Sequence, residues 1–410
     1  MFPQIKSVSQ SVRQYSLITV NYWAFTLTDG ALRMLVVLFF HNLGYAPLEI
    51  AMLFLFYEFF GVVTNLFGGW LGARWGLNKT MNIGLAMQIV ALAMLLVPQT
   101  WLTVVWVMIA QALSGIAKDL NKMSAKSAIK LLVADDQQSQ LYRWVSILTG
   151  SKNTLKGIGF FLGAVLLSVV GFQVAVGILA IGLTLIFLIS LIFLKQDLGK
   201  ATRKPKFKQL FSKNTNVNRL SVARLFLFAA RDVWFVVALP VYFSTELGWN
   251  HWQVGAYFAS WIVLYGLMQT IAPKITGSSS EEKGLNAKVT AGWIFSLFLV
   301  IAVIASAIWL EWKIQWVLLA GLFVFGALFA VNSSMHSYLI VKFSNRDAVS
   351  MDVGFYYMAN AAGRLLGTVL SGLIFQIYGL LACLIAAAIM LLTSVIISLG
   401  FDTNDAKENT

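Results

Sequence analysis

Charged side chains inside long apolar segments are the residues of this chain best suited to chemistry. The basic ones are Arg33, Lys152, Lys156, Arg224, Arg231 and Arg364, and the acidic ones are Asp29, Glu58 and Asp232. A charge in hydrocarbon costs roughly 2.5–3.5 kcal/mol on insertion scales, so such residues usually face a water-filled cavity. Six basic residues against three acids leave an excess of positive charge. The pattern therefore predicts a cavity that binds a small anionic solute.

Asp29 and Arg33 lie four residues apart and share one helical face. One interpretation is a local ion pair that eases membrane insertion. The other gives Arg33 a substrate oxygen and lets Asp29 position it or exchange a proton. Asp29, Glu58 and Asp232 are the acidic candidates for coupling or gating, and Asp29 is the best of them for proton coupling.

Lys152 and Lys156 repeat the four-residue spacing without an acid nearby in the sequence. Two like charges on one face repel, and a polyanion that bridges both lysines would relieve the repulsion. We therefore assign both to substrate binding.

Arg231 and Asp232 are neighbours, so their side chains are expected to leave the helix about 100° apart and not to face each other. Arg231 is then predicted to point into the cavity while Asp232 meets another helix. Arg364 lies in the middle of a later apolar segment. An arginine fork matches the oxygens of phosphate or arsenate. Arg231 and Arg364 are therefore candidates for substrate binding.

Several further polar residues have more ordinary interpretations. A stripe of lysines at a spacing of four residues comprises Lys118, Lys122, Lys126 and Lys130. We interpret the last three as a solvated helix end. Lys118 is also a candidate for substrate binding, as the first of a row of positive charges that attracts anions. Arg224 is predicted to reach interfacial water. His336 is either a pH-sensitive partner or, as we favour, a hydrogen-bonded packing residue. Cys383, as the only cysteine, excludes an internal disulfide or a cysteine metal cage and is read as apolar filler.

The elements that position these residues are apolar segments long enough to cross a membrane. The 410 residues are 59% hydrophobic and 11% charged, with a mean hydropathy of +0.78, which excludes a water-soluble protein. Twelve windows of about 20 residues are predicted as membrane helices: 18–40, 49–71, 80–98, 102–124, 141–169, 173–194, 220–243, 253–273, 289–308, 315–341, 350–376 and 380–400.

The distribution of Lys and Arg predicts the orientation. With a cytoplasmic N-terminus, 23 of the 30 fall in inner segments and only Lys313 falls in an outer loop. This bias predicts a multi-pass protein of the cytoplasmic membrane with both termini inside. The basic segment 195–219 is read as a topological anchor on anionic lipid, and nucleic-acid binding there is not favoured.

The second half of the sequence repeats features of the first at an offset of about 204 residues. Gly159–Gly163 aligns with Gly363–Gly367, and Phe40–Gly44 aligns with Phe243–Gly248. A shifted match pairs Met123–Lys130 with Met335–Lys342, and each is followed five residues later by an aspartate, Asp135 or Asp347. We predict an N-terminal bundle of six helices (1–194), a linker (195–219) and a C-terminal six-helix bundle with a short tail (220–410). The glycine pairs are interpreted as packing sites.

The segment Gly69–Lys79 resembles the signature of the major facilitator superfamily at Gly69, Leu71, Arg74, Gly76 and Lys79, with Ala73 in place of its acid. The resemblance implies an all-α integral membrane fold of twelve transmembrane helices in two pseudo-symmetric bundles, a functional monomer, and a gating role for Arg74. Our hypothesis is alternating access, in which the two halves rock about a central cationic site from the spans at 18–40, 141–169, 220–243 and 350–376.

Two longer stretches, Asn21–Asn65 and Ser114–Leu132, are similar to the organoarsenical-efflux branch of that superfamily. This narrower resemblance implies export of 1-arseno-3-phosphoglycerate, arsenate resistance, and a functional link to a glyceraldehyde-3-phosphate dehydrogenase that makes the solute. Pentavalent arsenic in an ester needs hard donors, which are abundant here, and not the sulfur ligands of trivalent arsenic. No resident cofactor, metal or ATP-binding motif is expected.

Other functions remain open at this point. Within transport, the alternative is a proton-coupled carrier of another organophosphate or a drug. From a different class, the chain could be a membrane-embedded enzyme or a sensor. An enzyme would need a clustered acid–base or metal constellation, which the sequence does not suggest.

Overall fold

A computed structural model describes residues 2–44, 53–134, 136–194, 198–200, 214–249, 251–277, 286–346 and 349–401. Most of the predicted linker, the side chain of Glu58, and Asp135 and Asp347 of the repeat lie outside the described residues. The regular structure within these ranges is helical throughout.

Twelve α-helices and one short 3-10 turn (Gln99–Trp101) lie in the described ranges. Those of the first half are α1 (Phe2–Asn42), α2 (Leu55–Trp75), α3 (Leu77–Met94), α4 (Val104–Leu132), α5 (Gln138–Val170) and α6 (Phe172–Phe193). Those of the second half are α7 (Thr215–Phe235), α8 (Ala238–Thr245), α9 (His251–Ile275), α10 (Ala287–Trp309), α11 (Ile314–Phe343) and α12 (Val349–Leu399). Each of the twelve predicted windows overlaps a helix.

One boundary is less regular than the windows suggested, because the window 220–243 is shared by α7 and α8. The windows 350–376 and 380–400 both lie in α12, which has a kink at Gly379 between them, as their separation predicted. Gly379 has a φ of 73°, and Gly171 between α5 and α6 has a φ of 76°. Glycine adopts this left-handed conformation without steric cost, so each sharp turn between consecutive helices falls on a glycine.

Six of the described helices are long and apolar enough to cross a membrane by length and composition. They are α1 from Ser11 to Phe40, α5, α6, α10, α11 and α12. Helix α4 is not among them because lysines and other polar residues interrupt its apolar run.

The chain packs into two compact units. The first comprises residues 1–136, 151–211 and 344–358, and the second comprises 137–150, 212–343 and 359–410. The first unit therefore includes the start of α12, from the second half of the sequence, and the second unit includes the start of α5, from the first half. The sequence-based bounds at 194 and 220 stay a prediction, and the units differ from them at these two helix ends.

Close helix crossings at glycine position the charged residues. In the first unit, a Cβ on Gly159 of α5 would lie 2.6 Å from the Leu27 carbonyl oxygen of α1, and one on Gly163 would meet the Ala31 carbonyl. In the second unit, Gly363 and Gly367 of α12 approach the backbone of α7 in the same way, at Leu225 and Ala229. The glycine pairs are thus packing sites, as predicted.

Candidate functional site

Tyr57 of α2 organises one end of the candidate site in the first unit. Its buried hydroxyl donates to the Asp29 carboxylate, at 2.7 Å from Oδ1 and 3.0 Å from Oδ2. The Tyr57 ring centroid lies 3.8 Å from Lys118 Nζ and 5.2 Å from the guanidinium carbon of Arg33. The ring therefore faces two cations while the hydroxyl holds an anion.

This arrangement excludes one of the two interpretations of Asp29 and Arg33, and the assignment of Arg33 to the substrate stays a prediction. Tyr57 holds the Asp29 carboxylate, whereas the Arg33 guanidinium lies over the Phe54 and Tyr57 rings, 4.9 Å from the Phe54 centroid. The local ion pair is therefore wrong. Tyr57 was missed because the aromatic stretch around it reads as lipid-facing surface.

A second group of charges joins α4 to α5. Lys122 Nζ is 2.5 Å from Asp119 Oδ1, and Lys118 Nζ is 4.0 Å from Asp119 Oδ2. Lys152 on α5 is close enough to Lys118, Lys122 and Lys156 to be repelled by each, and close enough to Asp119 to be attracted. We call Lys118, Lys122, Lys152 and Lys156, with Asp119, the lysine cluster.

The lysine cluster contains residues that the sequence did not single out. Asp119 is not among the embedded acids identified from the sequence, and the solvated interpretation of Lys122 is wrong. Asp119 is only 2% exposed and the Lys122 side chain 12%. Both residues fall inside the predicted window 102–124, so counting them as embedded charges would have found them.

The solvated interpretation of the other α4 lysines is also wrong. Lys126 is 3% exposed and Lys130 is 7% exposed. The Lys126 ammonium donates to the Tyr357 hydroxyl at the start of α12, and Lys122 and Lys126 lie 4.6 and 4.9 Å from the Tyr357 ring centroid. This aromatic partner is 231 positions away in the sequence, so local spacing gave no sign of it.

The second unit holds a compact cluster of two arginines and one acid. Asp232 Oδ1 is 2.5 Å from a terminal nitrogen of Arg231, and Asp232 Oδ2 is 3.4 Å from Arg364 Nε. Asp232 is fully buried, and the Arg231 and Arg364 side chains are 14% and 43% exposed. We call these three residues the arginine cluster.

The predicted divergence of Arg231 and Asp232 is wrong. The 100° rule describes the directions of their Cβ atoms, whereas the long arginine side chain folds back until its guanidinium reaches the neighbouring carboxylate. The expectation that Asp232 meets another helix is confirmed, because Arg364 lies on α12. The Arg231 guanidinium also lies over Phe228 and Phe329, 4.8 and 5.2 Å from the ring centroids.

Arg224 does not reach the interface as predicted. It is 3% exposed, donates to Asn360 Oδ1 at 2.8 Å, and reaches the carbonyl and hydroxyl oxygens of Ser333 at 3.3 and 3.1 Å. His336 is fully buried in the same unit, but neither ring nitrogen hydrogen-bonds to a residue that the structure describes. The favoured hydrogen-bonded role of His336 is therefore wrong. Cys383 is buried in the apolar core, as expected.

The gating candidates on α2 have different outcomes. Arg74 lies in the last turn of α2 with its guanidinium carbon 5.1 Å from the Trp70 ring centroid, and it remains exposed. Glu58 lies on the same helix, but its side chain is outside the described residues. Their assignment to gating stays a prediction.

Comparison with solved structures places this fold among membrane transporters. A bacterial homologue of the iron transporter ferroportin superposes with a TM-score of 0.73 at 13% identity, over 94% of this chain and 98% of that one. The human organic anion transporter MFSD10 (TETRAN) gives 0.72 at 15% identity, over 94% and 99%. The Escherichia coli fucose:proton symporter FucP gives 0.74 at 11% identity, over 95% and 98%. At these identities the likeness shows the fold.

The sequence itself matches the family model of the Major Facilitator Superfamily over residues 18–310. No curated protein sequence matches the chain. The similar structures include a fucose:proton and a xylose:proton symporter, and this chain shares their fold. The chain belongs to the major facilitator superfamily and is a multi-pass membrane protein with the fold of a secondary transporter.

Proposed function

We propose that this protein exports an organic arsenate or phosphate ester anion, with 1-arseno-3-phosphoglycerate as the specific solute, and so confers arsenate resistance. It acts as a monomer in the cytoplasmic membrane with both termini inside. A glyceraldehyde-3-phosphate dehydrogenase supplies the solute. Arg33, Lys118, Lys152, Lys156, Arg231 and Arg364 bind it.

The observation that carries the proposal is the excess of positive charge in the lysine cluster. Lys118 and Lys122 share the single carboxylate of Asp119, at 4.0 and 2.5 Å, and α5 adds Lys152 and Lys156. Like charges brought together in a poorly hydrated site are unfavourable unless a counter-charge joins them. A ligand with two or more negative oxygens supplies that counter-charge, which favours a polyanion over a sugar or a neutral drug.

The chemistry of the donors favours a phosphate-like solute. Ammonium and guanidinium groups are hard hydrogen-bond donors that suit phosphate and pentavalent arsenate oxygens. Soft binding of trivalent arsenic needs thiolates, whereas the single cysteine, Cys383, is buried in the apolar core of the second unit. The stretches Asn21–Asn65 and Ser114–Leu132, which resemble organoarsenical exporters, include Asp29, Arg33, Tyr57 and the α4 lysines.

The membrane potential is sufficient to drive this export. Moving an anion out of a negative interior gains about 2.3 kcal/mol per charge at 100 mV, so a doubly charged ester gains about 4.6 kcal/mol. Export by alternating access then needs no coupled proton. A transport rate that ignores the potential but follows a proton gradient would exclude this uniport.

A proton-coupled transporter of another organophosphate or a drug is the second candidate. The buried Asp29 carboxylate accepts hydrogen bonds from the neutral Tyr57 hydroxyl and has no arginine or lysine in an ion pair among the described residues. Asp29 is therefore the residue that this second candidate assigns to proton coupling. Asp29→Asn separates the two candidates, because it abolishes proton-driven transport and leaves potential-driven export in place.

The proposal is tested in everted membrane vesicles with an inside-positive potential. The vesicles receive arsenate, glyceraldehyde 3-phosphate, NAD and the dehydrogenase, and the arsenic that accumulates inside is counted. Wild type is compared with Lys156→Gln, with Arg364→Gln, and with Lys288→Gln as a matched control, because Lys288 is exposed in the first turn of α10 and belongs to neither cluster.

We expect accumulation that requires the complete enzyme mixture, is lost in the Lys156 and Arg364 variants, and persists in the Lys288 variant. Equal accumulation from arsenate alone would identify a carrier of inorganic anions. If arsenic accumulates with none of these mixtures, the arsenylated ester is excluded as the solute.

A further inference from the structure

Asp119 occupies an unusual position in the lysine cluster. One oxygen, Oδ1, lies 2.5 Å from Lys122 Nζ. The other, Oδ2, lies 4.0 Å from Lys118 Nζ and accepts no hydrogen bond from the described residues, although it is buried. A buried carboxylate oxygen that makes no hydrogen bond raises the free energy of the folded state. Asp119 is therefore held mainly by one partner.

The single charge of Asp119 serves several lysines. It contacts Lys122, approaches Lys118 and attracts Lys152. One carboxylate that neutralises Lys122 leaves the repulsion between Lys152 and the other lysines in place. A phosphate-like dianion offers the same type of oxygen with more charge, so it competes directly with Asp119 for these ammonium groups.

We propose that Asp119 is an internal counter-ion, which holds Lys122 while the transporter is empty and which an oxyanion displaces when it binds. This inference rests on the proposed function, since it concerns the same cationic site. It gives Asp119 a role in setting affinity: the ligand binds the lysines only after it breaks the Asp119–Lys122 pair, and re-formation of the pair promotes release.

The local geometry allows this exchange without a movement of helices. Asp119 and Lys122 are three residues apart on α4, so rotation of either side chain separates them. Gly61 of α2 faces the second oxygen, and a Cβ there would lie 3.1 Å from Asp119 Oδ2. The absence of a side chain at Gly61 leaves room beside the carboxylate.

The test measures the affinity of the purified full-length chain for inorganic phosphate, sulfate and arsenate by titration calorimetry. Asp119→Asn is expected to bind these oxyanions about tenfold more tightly than wild type, the order expected when one charge-assisted hydrogen bond no longer competes. Asp119→Glu keeps the charge and should bind like wild type. Asp136→Asn, which removes an exposed acid outside the cluster, controls for the change in net charge.

The double variant Asp119→Asn/Lys122→Gln shows whether the effect acts through the pair. Removing Lys122 together with its counter-ion should cancel the gain in affinity. A purely structural role of Asp119 would instead lower the melting temperature of each Asp119 variant without tightening anion binding.

Infrared difference spectra keep the inference testable if Asp119→Asn does not fold. Addition of phosphate to wild type should shift the frequency of a carboxylate stretching band. The same band should appear at a different frequency in Asp119→Glu, which would assign it to residue 119. A spectrum without a carboxylate change overturns the inference. So does equal or weaker oxyanion binding by folded Asp119→Asn, or no oxyanion binding by any variant. If the variants bind oxyanions as expected but the protein does not transport the organic ester, the proposed solute is rejected and the counter-ion role of Asp119 stands.

Discussion

The lysine cluster of the first unit and the arginine cluster of the second both place one buried acid among cations, yet they hold it differently. Asp232 is fully buried, and each of its oxygens faces a guanidinium, at 2.5 Å from Arg231 and 3.4 Å from Arg364. Asp119 has one ammonium at 2.5 Å and the next at 4.0 Å. The acid is thus shared firmly in one cluster and loosely in the other.

The chemistry of the two cations explains this difference. Guanidinium groups are planar and present several donors in a fixed fork, so two of them can fix a carboxylate from both sides. Ammonium groups are compact point charges on flexible stems, and they exchange partners with less geometric constraint. The arginine cluster therefore suits a structural role with some ligand contact, and the lysine cluster suits reversible binding of anions.

The largest expected effect comes from the lysine cluster, where Asp119 is shared between Lys118 and Lys122. Lys152→Gln should lower ester transport by about 100-fold, because one charge-assisted contact to the ligand contributes up to about 3 kcal/mol. Arg364→Gln should cost less, since Asp232 already shares its charge. Initial rates in everted vesicles check both variants at matched protein levels. A larger loss in the arginine variant would reverse the assignment of the two clusters.

Loss of the acid should affect stability most in the arginine cluster. Asp232→Asn leaves Arg231 and Arg364 without their shared carboxylate, and we expect the free energy of unfolding to fall by about 3 kcal/mol, the lower end for a broken buried pair. The exposure of Arg364, at 43%, keeps the loss near this lower end. Asp119→Asn should cost clearly less. Denaturant titration in detergent compares them, and equal losses would remove the distinction between the clusters.

Much of the fold was predictable because it depends on local sequence. Apolar runs of membrane length gave all twelve windows, and the glycine pairs at 159–163 and 363–367 gave the helix crossings. The break at Gly379 falls between the predicted windows 350–376 and 380–400, whereas the division of the window 220–243 into α7 and α8 was not foreseen. Hydropathy follows composition along the chain and does not respond to a change in backbone direction.

The site was less predictable because its contacts join distant residues. Asp29 and Tyr57 are 28 positions apart, and Lys126 and Tyr357 are 231 apart. Spacing rules assign neighbours on one helix, so they gave an ion pair between Asp29 and Arg33 and solvent around Lys126. They also failed for Arg231 and Asp232, where the flexible end of the arginine side chain overrides the direction of its Cβ.

A smaller effect is expected from a substitution at Tyr57 in the first unit. Tyr57→Phe keeps the ring that faces Lys118 and Arg33 but removes the donor to Asp29. This hydrogen bond, which an amide oxygen at position 29 could also accept, holds the Tyr57 ring against Lys118 and Arg33, so its loss should lower the transport rate about tenfold. Tyr257→Phe in the second unit, whose hydroxyl donates to the Leu319 carbonyl, is the control and should change the rate little. Similar losses in both would make the Asp29 contact unimportant.

The smallest expected effect is at Gly61, beside Asp119. The added Cβ of Gly61→Ala would lie 3.1 Å from Asp119 Oδ2, a tight contact with a mobile side-chain atom that can move away. Alanine also favours the helix interior by about 0.5–1 kcal/mol, so stability should stay close to wild type. Crowding of the carboxylate should weaken its hold on Lys122 and tighten oxyanion binding by no more than a few-fold.

Gly367→Ala is the matched change in the arginine cluster. There the new Cβ would lie 2.7 Å from the Ala229 carbonyl oxygen and 2.8 Å from Asp232 Cβ. These atoms belong to the backbone or its immediate branch and cannot rotate away, so α7 and α12 must separate, and stability should fall. Melting temperatures and phosphate titrations of the two variants compare a carboxylate that can yield with one that is fixed. If Gly61→Ala melts as early as Gly367→Ala, Asp119 is as rigidly held as Asp232, and the proposed exchange loses its physical basis.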